Sequence, residues 1–369
     1  MVAGYWYLVA GMRWLKRGKA IITRKTMKRT IISTAVGSLP HKDTQQAIDL
    51  IMNTFSEAPF WPQLPKRDFR EGMYIQYSEG LPGATIDREK QRLYFALGDD
   101  FYRDKEKFMD SLMEDDLDAF AMSEEYAGGF YAFLDHYKKN GCKTPFVKGQ
   151  ITGPISLGLT VTDEKNRSIL YNPEFEEVIT HGLMMKARWQ VRKLAELSPD
   201  VILFIDEPYL ASYGSAFISL ERDQVIQTIA LISDAIKSEG ARSGAHCCGN
   251  TDWTLLMDSG VDIINFDAVS YFESMTLYSE KLRSYLEAGG SLAWGIVPNS
   301  EGVRAENPFT VVKRFWDGIG ILESKDIPRE LLLSSVLITP CCGAGSMQED
   351  DAEKMIKLAD EAAEMIKSA

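Results

Sequence analysis

From Thr30 onward, short apolar runs alternate with longer stretches in which apolar residues recur every three or four positions. The runs are Ile31–Val36, Leu117–Met122, Pro145–Gln150, Val201–Ile205, Ala241–Ala245, Asp262–Phe266, Ser291–Val297 and Ser335–Thr339. A strand covered on both faces meets no water, so it reads as a near-continuous apolar run rather than as an alternation. The helical stretches are Thr44–Phe55, Asp104–Leu112, Glu174–Leu197, Asp223–Ser238, Trp253–Asp258, Met275–Ala288, Pro308–Ile319 and Glu349–Lys367. Eight such runs alternating with helices predict an α/β fold, a single closed (β/α)8 TIM barrel spanning residues 27–369. Residues 56–116 fit neither period and are expected to form an irregular insertion over one end of the barrel. A doubly wound open sheet is the alternative, but no glycine-rich dinucleotide turn follows an early strand.

Composition narrows the function classes. Of 369 residues, 45% are hydrophobic and 25% charged, the profile of a globular chain. The 41 basic and 53 acidic residues leave a net charge of −12, which repels nucleic acid phosphates and anionic membrane surfaces, so neither is an expected partner. Five cysteines, with Cys247-Cys248 and Cys341-Cys342 adjacent, do not suit a secreted disulfide framework; a reducing cytoplasm is expected. The apolar patch from Gly4 to Met12 is too short to cross a bilayer. Residues 1–26, basic and aromatic, end just before Met27; they are read as an N-terminal extension without a function.

Barrel enzymes carry their chemistry on the loops after the carboxyl ends of the strands, so the polar residues there decide the function. Gly37-Ser38 follows the first run, Thr152-Gly153-Pro154 the third, Asp206-Glu207-Pro208 the fourth and His246-Cys247-Cys248 the fifth. Asp267 closes the sixth run, Pro298-Asn299 the seventh and Cys341-Cys342-Gly343 the eighth. His246 and Cys248 are two apart, so at a strand end both point to one side. With Asp267 and either Cys341 or Cys342 they offer the N, S, S, O donor set that Zn²⁺ accepts. Cys247 and Cys341 alternate to the opposite face from their neighbours and are expected to be buried bystanders. Such a site makes a thiolate nucleophile from an incoming thiol without a general base.

Taken in order, Ala35-Val36-Gly37-Ser38-Leu39-Pro40, Thr152-Gly153-Pro154, Ile205-Asp206-Glu207-Pro208, His246-x-Cys248, Asp267 and Pro340-x-Cys342-Gly343 resemble the C-terminal catalytic barrel of cobalamin-independent methionine synthase. The resemblance covers residues 30–365 and lies within the broader uroporphyrinogen decarboxylase-like superfamily. It implies that His246, Cys248 and Cys342 ligate zinc, with Asp267 where that family has a glutamate. It further implies that Asp206 holds the amino group of homocysteine, and that Gly37 and Ser38 meet its carboxylate through backbone N–H groups and a hydroxyl.

The chain departs from that family where the methyl donor binds. The family enzyme has a second, N-terminal barrel. Its folate-stacking tryptophan is missing from Ile155-Ser156-Leu157-Gly158-Leu159-Thr160, its histidine after the seventh strand is replaced around Pro298-Asn299-Ser300, and its glutamate after the second strand has no counterpart near Gln63–Arg67. His246-Cys247-Cys248-Gly249-Asn250-Thr251 also resembles the zinc motif of corrinoid-dependent methyltransferases, whose donor leaves as Co(I) and needs no proton. The expected function is zinc-dependent methyl transfer to homocysteine, giving methionine, from methylcobalamin or a corrinoid protein. Transfer to another thiol such as coenzyme M, and folate-dependent methionine synthesis, are the alternatives. A porphyrinogen decarboxylase-type lyase would leave His246, Cys248 and Cys342 without a role, and a binding module would make Phe60–Pro65 a docking surface.

Overall fold

The computed structural model of the protein describes residues 31–369 apart from Phe217 and Ser335. The expected extension 1–26 lies outside the described residues. Among the described residues ten strands follow in chain order: β1 (Ile31–Ser33), β2 (Ala84–Asp87), β3 (Arg92–Phe95), β4 (Val147–Thr152), β5 (Thr162–Asp163), β6 (Val201–Asp206), β7 (Arg242–Cys247), β8 (Ile263–Asp267), β9 (Ser291–Val297) and β10 (Val336–Pro340). The α-helices are α1 (Thr44–Thr54), α2 (Phe101–Glu114), α3 (Gly128–Asn140), α4 (Pro154–Thr160), α5 (Pro173–Ala195), α6 (Arg222–Ser238), α7 (Thr254–Asp258), α8 (Phe272–Thr276), α9 (Ser279–Glu287), α10 (Pro308–Glu323), α11 (Arg329–Leu332) and α12 (Glu349–Lys367). Seven strands form one parallel sheet in the order β1-β10-β9-β8-β7-β6-β4, and β2, β3 and β5 form a small second sheet. The β2–β3 hairpin and α2 give the expected insertion partly regular structure.

One expected strand is corrected. Residues Leu117–Phe120 form a 3-10 helix, because the Asp116 carboxylate accepts the Asp118 N–H at 3.2 Å and turns the chain before a strand can start. The place between the two edge strands is taken by residues 59–63. Lys148 N donates to Pro59 O (2.9 Å) and Trp61 N to Lys148 O (3.2 Å), while Gln63 N donates to Gly37 O (3.0 Å) and Leu39 N to Gln63 O (2.9 Å). Pro59 and Pro62 carry no N–H, so this segment makes isolated bridges to β4 and to Ser38 rather than a full ladder. The single helix expected over Met275–Ala288 is split into α8 and α9, and α3 and α4 were not foreseen.

The two faces of the sheet differ, and this positions the site. Val201, Leu203 and Ile205 on β6 join Ala245, Cys247, Ile264, Phe266, Leu292, Trp294 and Ile338 in the large core beneath the helices. The alternate residues Ile202 and Phe204 join Ile32, Ile263, Ala293 and Leu337 in a separate inner cluster. Strand periodicity of two then sends Asp206, His246, Asn265 and Thr339 to the inner face, nearer the carboxyl ends. On β6, β8 and β10 the inner face is thus apolar toward the amino ends and polar at the carboxyl ends, while β4 places Lys148 in the same layer as Ile202 and Phe204.

Candidate metal and substrate site

One His nitrogen and two Cys sulfurs, from His246, Cys248 and Cys342, lie within 4.8 Å of one another. His246 stands at the inner face of β7, and its Nδ1–H donates to Asn265 Oδ1 at 2.6 Å. That direction follows from the amide: Asn265 Nδ2 donates to Ala293 O and to Thr339 Oγ1, both at 2.9 Å, which leaves Oδ1 as the acceptor. The imidazole is fixed with Nε2 toward the sulfurs, and buried Nε2 has no hydrogen-bond partner among the described residues.

Cys342 reaches the cluster through a register slip. Leu337 lies in the inner cluster and Thr339 bonds Asn265, so simple alternation would send Cys341 inward. The β10–β9 pairing shifts between Thr339 and Pro340, and Cys341 instead donates its thiol to Gly295 O at 3.1 Å while Cys342 meets Cys248. Cys247 is in the outer core, its thiol on Gly249 O at 3.5 Å. Burial pushes the Cys247 thiol up to about 12 and that of Cys341 also upward, so both are protonated. A hydrogen bond from Cys342, aided by His246, holds Cys248 well below the ordinary thiol range. A buried nitrogen with no partner and a sulfur poised as thiolate are what a thiophilic divalent ion requires, so the three residues fit Zn²⁺.

Asp267 does not join them. Its Oδ1 accepts the N–H groups of Val269 (2.8 Å) and Ser270 (2.9 Å), capping the turn after β8. Among the described residues no fourth protein donor completes the cluster.

Beside the cluster runs a row of unsatisfied polar atoms. Thr152, Asp206 and His246 are register partners on three adjacent strands, and Thr152 Oγ1, Asp206 Oδ1 and His246 Nε2 are all buried without a hydrogen-bond partner. Buried groups left bare in this way cost free energy unless a ligand or water satisfies them. Burial raises the Asp206 carboxyl to about 6, against the pull of His246 and Lys148. Glu207 turns away from this row and accepts the N–H groups of Ile155 (3.1 Å) and Ser156 (2.7 Å) at the start of α4. Burial raises Glu207 to about 7.

Gly37 and Ser38, on the loop after β1, lie against the loop after Cys342. Ala344 N donates to Ser38 O (2.8 Å) and Gly345 N to Ser38 Oγ (3.2 Å). Gly37 has φ +147°, and an added Cβ would lie 2.4 Å from Gln150 Cδ, so a glycine is required. His41, which follows residues 37–40, is buried. Glu124 is exposed and Glu125 pairs with Arg70, so neither supplies a carboxylate here. Phe60, Trp61 and Leu64 are fully buried, which removes them as a docking surface.

Three residues were not foreseen. Asn265 was detectable as the inner-face position two before Asp267. Lys148 is fully buried on β4, and its signal was a lone charge in an apolar run. Tyr74, in the insertion where periodicity gives no guidance, is pushed up to about 12 by burial, with the charges of Glu207, Tyr209 and Cys248 adding to it.

The sequence matches no protein-family model and no curated protein. Its fold is similar to a β-N-acetylhexosaminidase (10% identity, 92% of this chain and 72% of that chain, TM-score 0.39) and to the β-glycosidase of the hyperthermophile Thermosphaera aggregans (11%, 92% and 96%, 0.39). It is also similar to a prolidase complexed with N-methylphosphonate-L-proline (11% identity, TM-score 0.30); the match covers 64% of this chain and 61% of the prolidase. Among the described residues no helix is long and apolar enough to cross a membrane.

Proposed function

We propose that this chain is a zinc-dependent methyltransferase, similar to the catalytic barrel of cobalamin-independent methionine synthase, that methylates the thiol of homocysteine. The observation that carries the reading is the adjacency of the His246, Cys248 and Cys342 donor set to the unpartnered Asp206 Oδ1. We read the sheet as a closed (β/α)8 barrel in which residues 59–63 serve as the eighth strand. Zn²⁺ held by His246, Cys248 and Cys342 would keep a substrate thiol as thiolate near neutral pH. Asn265 orients the imidazole for that role.

Asp206 is the group that selects an amino acid. Its bare oxygen, buried in a low-dielectric site, accepts an ammonium well and has no use for the sulfonate of coenzyme M. The Gly37-Ser38 turn, held against the Cys342 loop, offers N–H and hydroxyl donors to the substrate carboxylate. In the transfer, the thiolate sulfur forms a bond to the methyl carbon as the bond between that carbon and the donor breaks.

A methylcorrinoid, free or protein-bound, is the donor this site suits best. Residues 155–160 lie in α4, whose Ile155, Leu157 and Leu159 are buried in the core, so no aromatic surface is available there for stacking a folate. Ser300, in the segment after β9, is committed to capping a 3-10 helix through Gly302 N at 3.3 Å. A donor whose leaving group needs no proton suits a site without an acid there. Five free cysteines fit a reducing, cytoplasmic compartment.

The test is methionine formation by zinc-loaded protein from homocysteine with methylcobalamin, and separately with methyltetrahydrofolate, each repeated with Cys342→Ser. Turnover with methylcobalamin that the substitution abolishes is expected. Turnover with the folate alone would overturn the donor assignment, and no turnover with either donor while zinc still binds would overturn the acceptor.

A further inference from the structure

Lys148 is an inner-face residue of β4 near the site whose role the proposed reaction leaves open. It is fully buried. Its ammonium donates to Val36 O and, at 3.3 Å, to Gln150 Oε1, and it stands 4.7 Å from the centre of the Phe204 ring. Among the described residues it forms no ion pair; Asp206 is the carboxylate whose charge acts on it. An internal ammonium so poorly compensated carries a desolvation cost, which leaves it in want of a second anion.

Val36 C=O and Gly37 N–H belong to one planar peptide unit. A cation bonded to the oxygen draws electron density along the unit and makes the N–H at its other end a stronger donor. The Gly37 N–H donates to no group among the described residues, and the glycine is pinned because any side chain would strike Gln150, the second acceptor of Lys148. The same ammonium therefore fixes the turn from below and polarises its free donor.

We propose that Lys148 is a positioning residue for the substrate carboxylate, acting through the Val36–Gly37 peptide to hold and strengthen the Gly37 N–H that receives it. The inference rests on homocysteine as the acceptor and extends it to how a carboxylate is selected on a chain of net charge −12. Lys148 touches neither substrate nor metal; it works one peptide removed. Burial brings its amine down to about 7, opposed by Asp206, and a carboxylate arriving beyond Gly37 shifts it back toward the charged form.

The experiment compares zinc-loaded wild type with Lys148→Met, a neutral side chain of similar length. Calorimetry gives the affinity for L-homocysteine and for 3-aminopropanethiol, which lacks only the carboxylate; circular dichroism and melting temperature report the fold. Binding of homocysteine weakened about tenfold or more, with 3-aminopropanethiol unchanged, is the expected result. Equal loss for both thiols would reduce Lys148 to a structural role and overturn the inference, as would no loss for either. If Lys148→Met does not fold, Gly37→Ala takes its place: it perturbs the same N–H, and the same difference between the two thiols must appear. Wild type that binds 3-aminopropanethiol as tightly as homocysteine overturns the inference while leaving the metal site standing. Wild type that binds neither overturns the acceptor assignment, and the inference falls with it.

Discussion

His246 and Asn265 face each other across β7 and β8, and the 2.6 Å bond from His246 Nδ1–H to Asn265 Oδ1 decides which imidazole nitrogen meets Cys248 and Cys342. The amide cannot flip without losing its bonds to Ala293 O and Thr339 Oγ1. The orientation of one candidate metal ligand is therefore set by three strands, β8, β9 and β10. Outer contacts of this kind are worth roughly 10- to 100-fold in metal affinity. Asn265→Ala is expected to weaken zinc binding by that range, measured by competition with a chromophoric chelator, with the far-ultraviolet spectrum unchanged. Unaltered affinity would show that the ring is held by the metal and the sulfurs alone.

Asp206 lies next to the cluster without belonging to it, so on the proposed function substrate and metal binding separate at this residue. Asp206→Asn keeps the shape and removes the charge. Loss of a charge-assisted hydrogen bond of about 1.5–3 kcal/mol raises the KM for homocysteine by roughly 10- to 150-fold. Zinc content by atomic absorption should stay at the wild-type value. A variant that loses zinc together with homocysteine would place Asp206 in the metal's own shell.

Glu207 gives a pH signature of stability. Its folded value of about 7 lies above the ordinary 4.5, because burial disfavours the charge more than the Ile155 and Ser156 N–H groups restore it. For an acid raised on folding, the contribution to stability is fully present below the unfolded pKa and is lost as pH rises through the folded one. Between pH 4.5 and 7 the wild type should therefore lose up to about 3 kcal/mol relative to Glu207→Gln, which does not titrate. Melting temperatures of the two proteins at pH 5 and pH 8 provide the check; a difference that does not move toward the variant at higher pH contradicts the assignment.

Gly37→Ala tests the turn directly. The added methyl would sit 2.4 Å from Gln150 Cδ on a backbone with φ +147°, so the variant must shift the turn or the Gln150 side chain. A cost of about 1–3 kcal/mol in stability is expected from such strain. Urea denaturation would measure it, and a wild-type midpoint would mean that the turn adapts freely.

Much of the fold was legible because its strands are covered on both faces, so the runs at Val201, Ser291 and their equivalents stand out without any tertiary information. The position of β1, β4 and β6–β10, and the helix Glu349–Lys367 to the residue, followed from local pattern. The second strand position did not. Residues 59–63 hold two prolines and bond through only part of their backbone, whereas Leu117–Met122 has the apolar content of a strand and is turned by Asp116.

The site divides along the same line. Sequence alone determined that His246 and Cys248 share a side and that Asp206 ends a buried strand, since both follow from the two-residue period of a strand. Tertiary structure decided the rest. The slip between Thr339 and Pro340 brought Cys342 rather than Cys341 to the cluster, and the Val269 and Ser270 N–H groups held Asp267 away. Asn265, Lys148 and Val36 acquired their roles only when β1, β4, β8 and β10 turned their inner faces toward one another. Spacing along a chain fixes which side of a strand a residue occupies, but not the neighbouring strand's register, and it is register that determines which polar atoms meet.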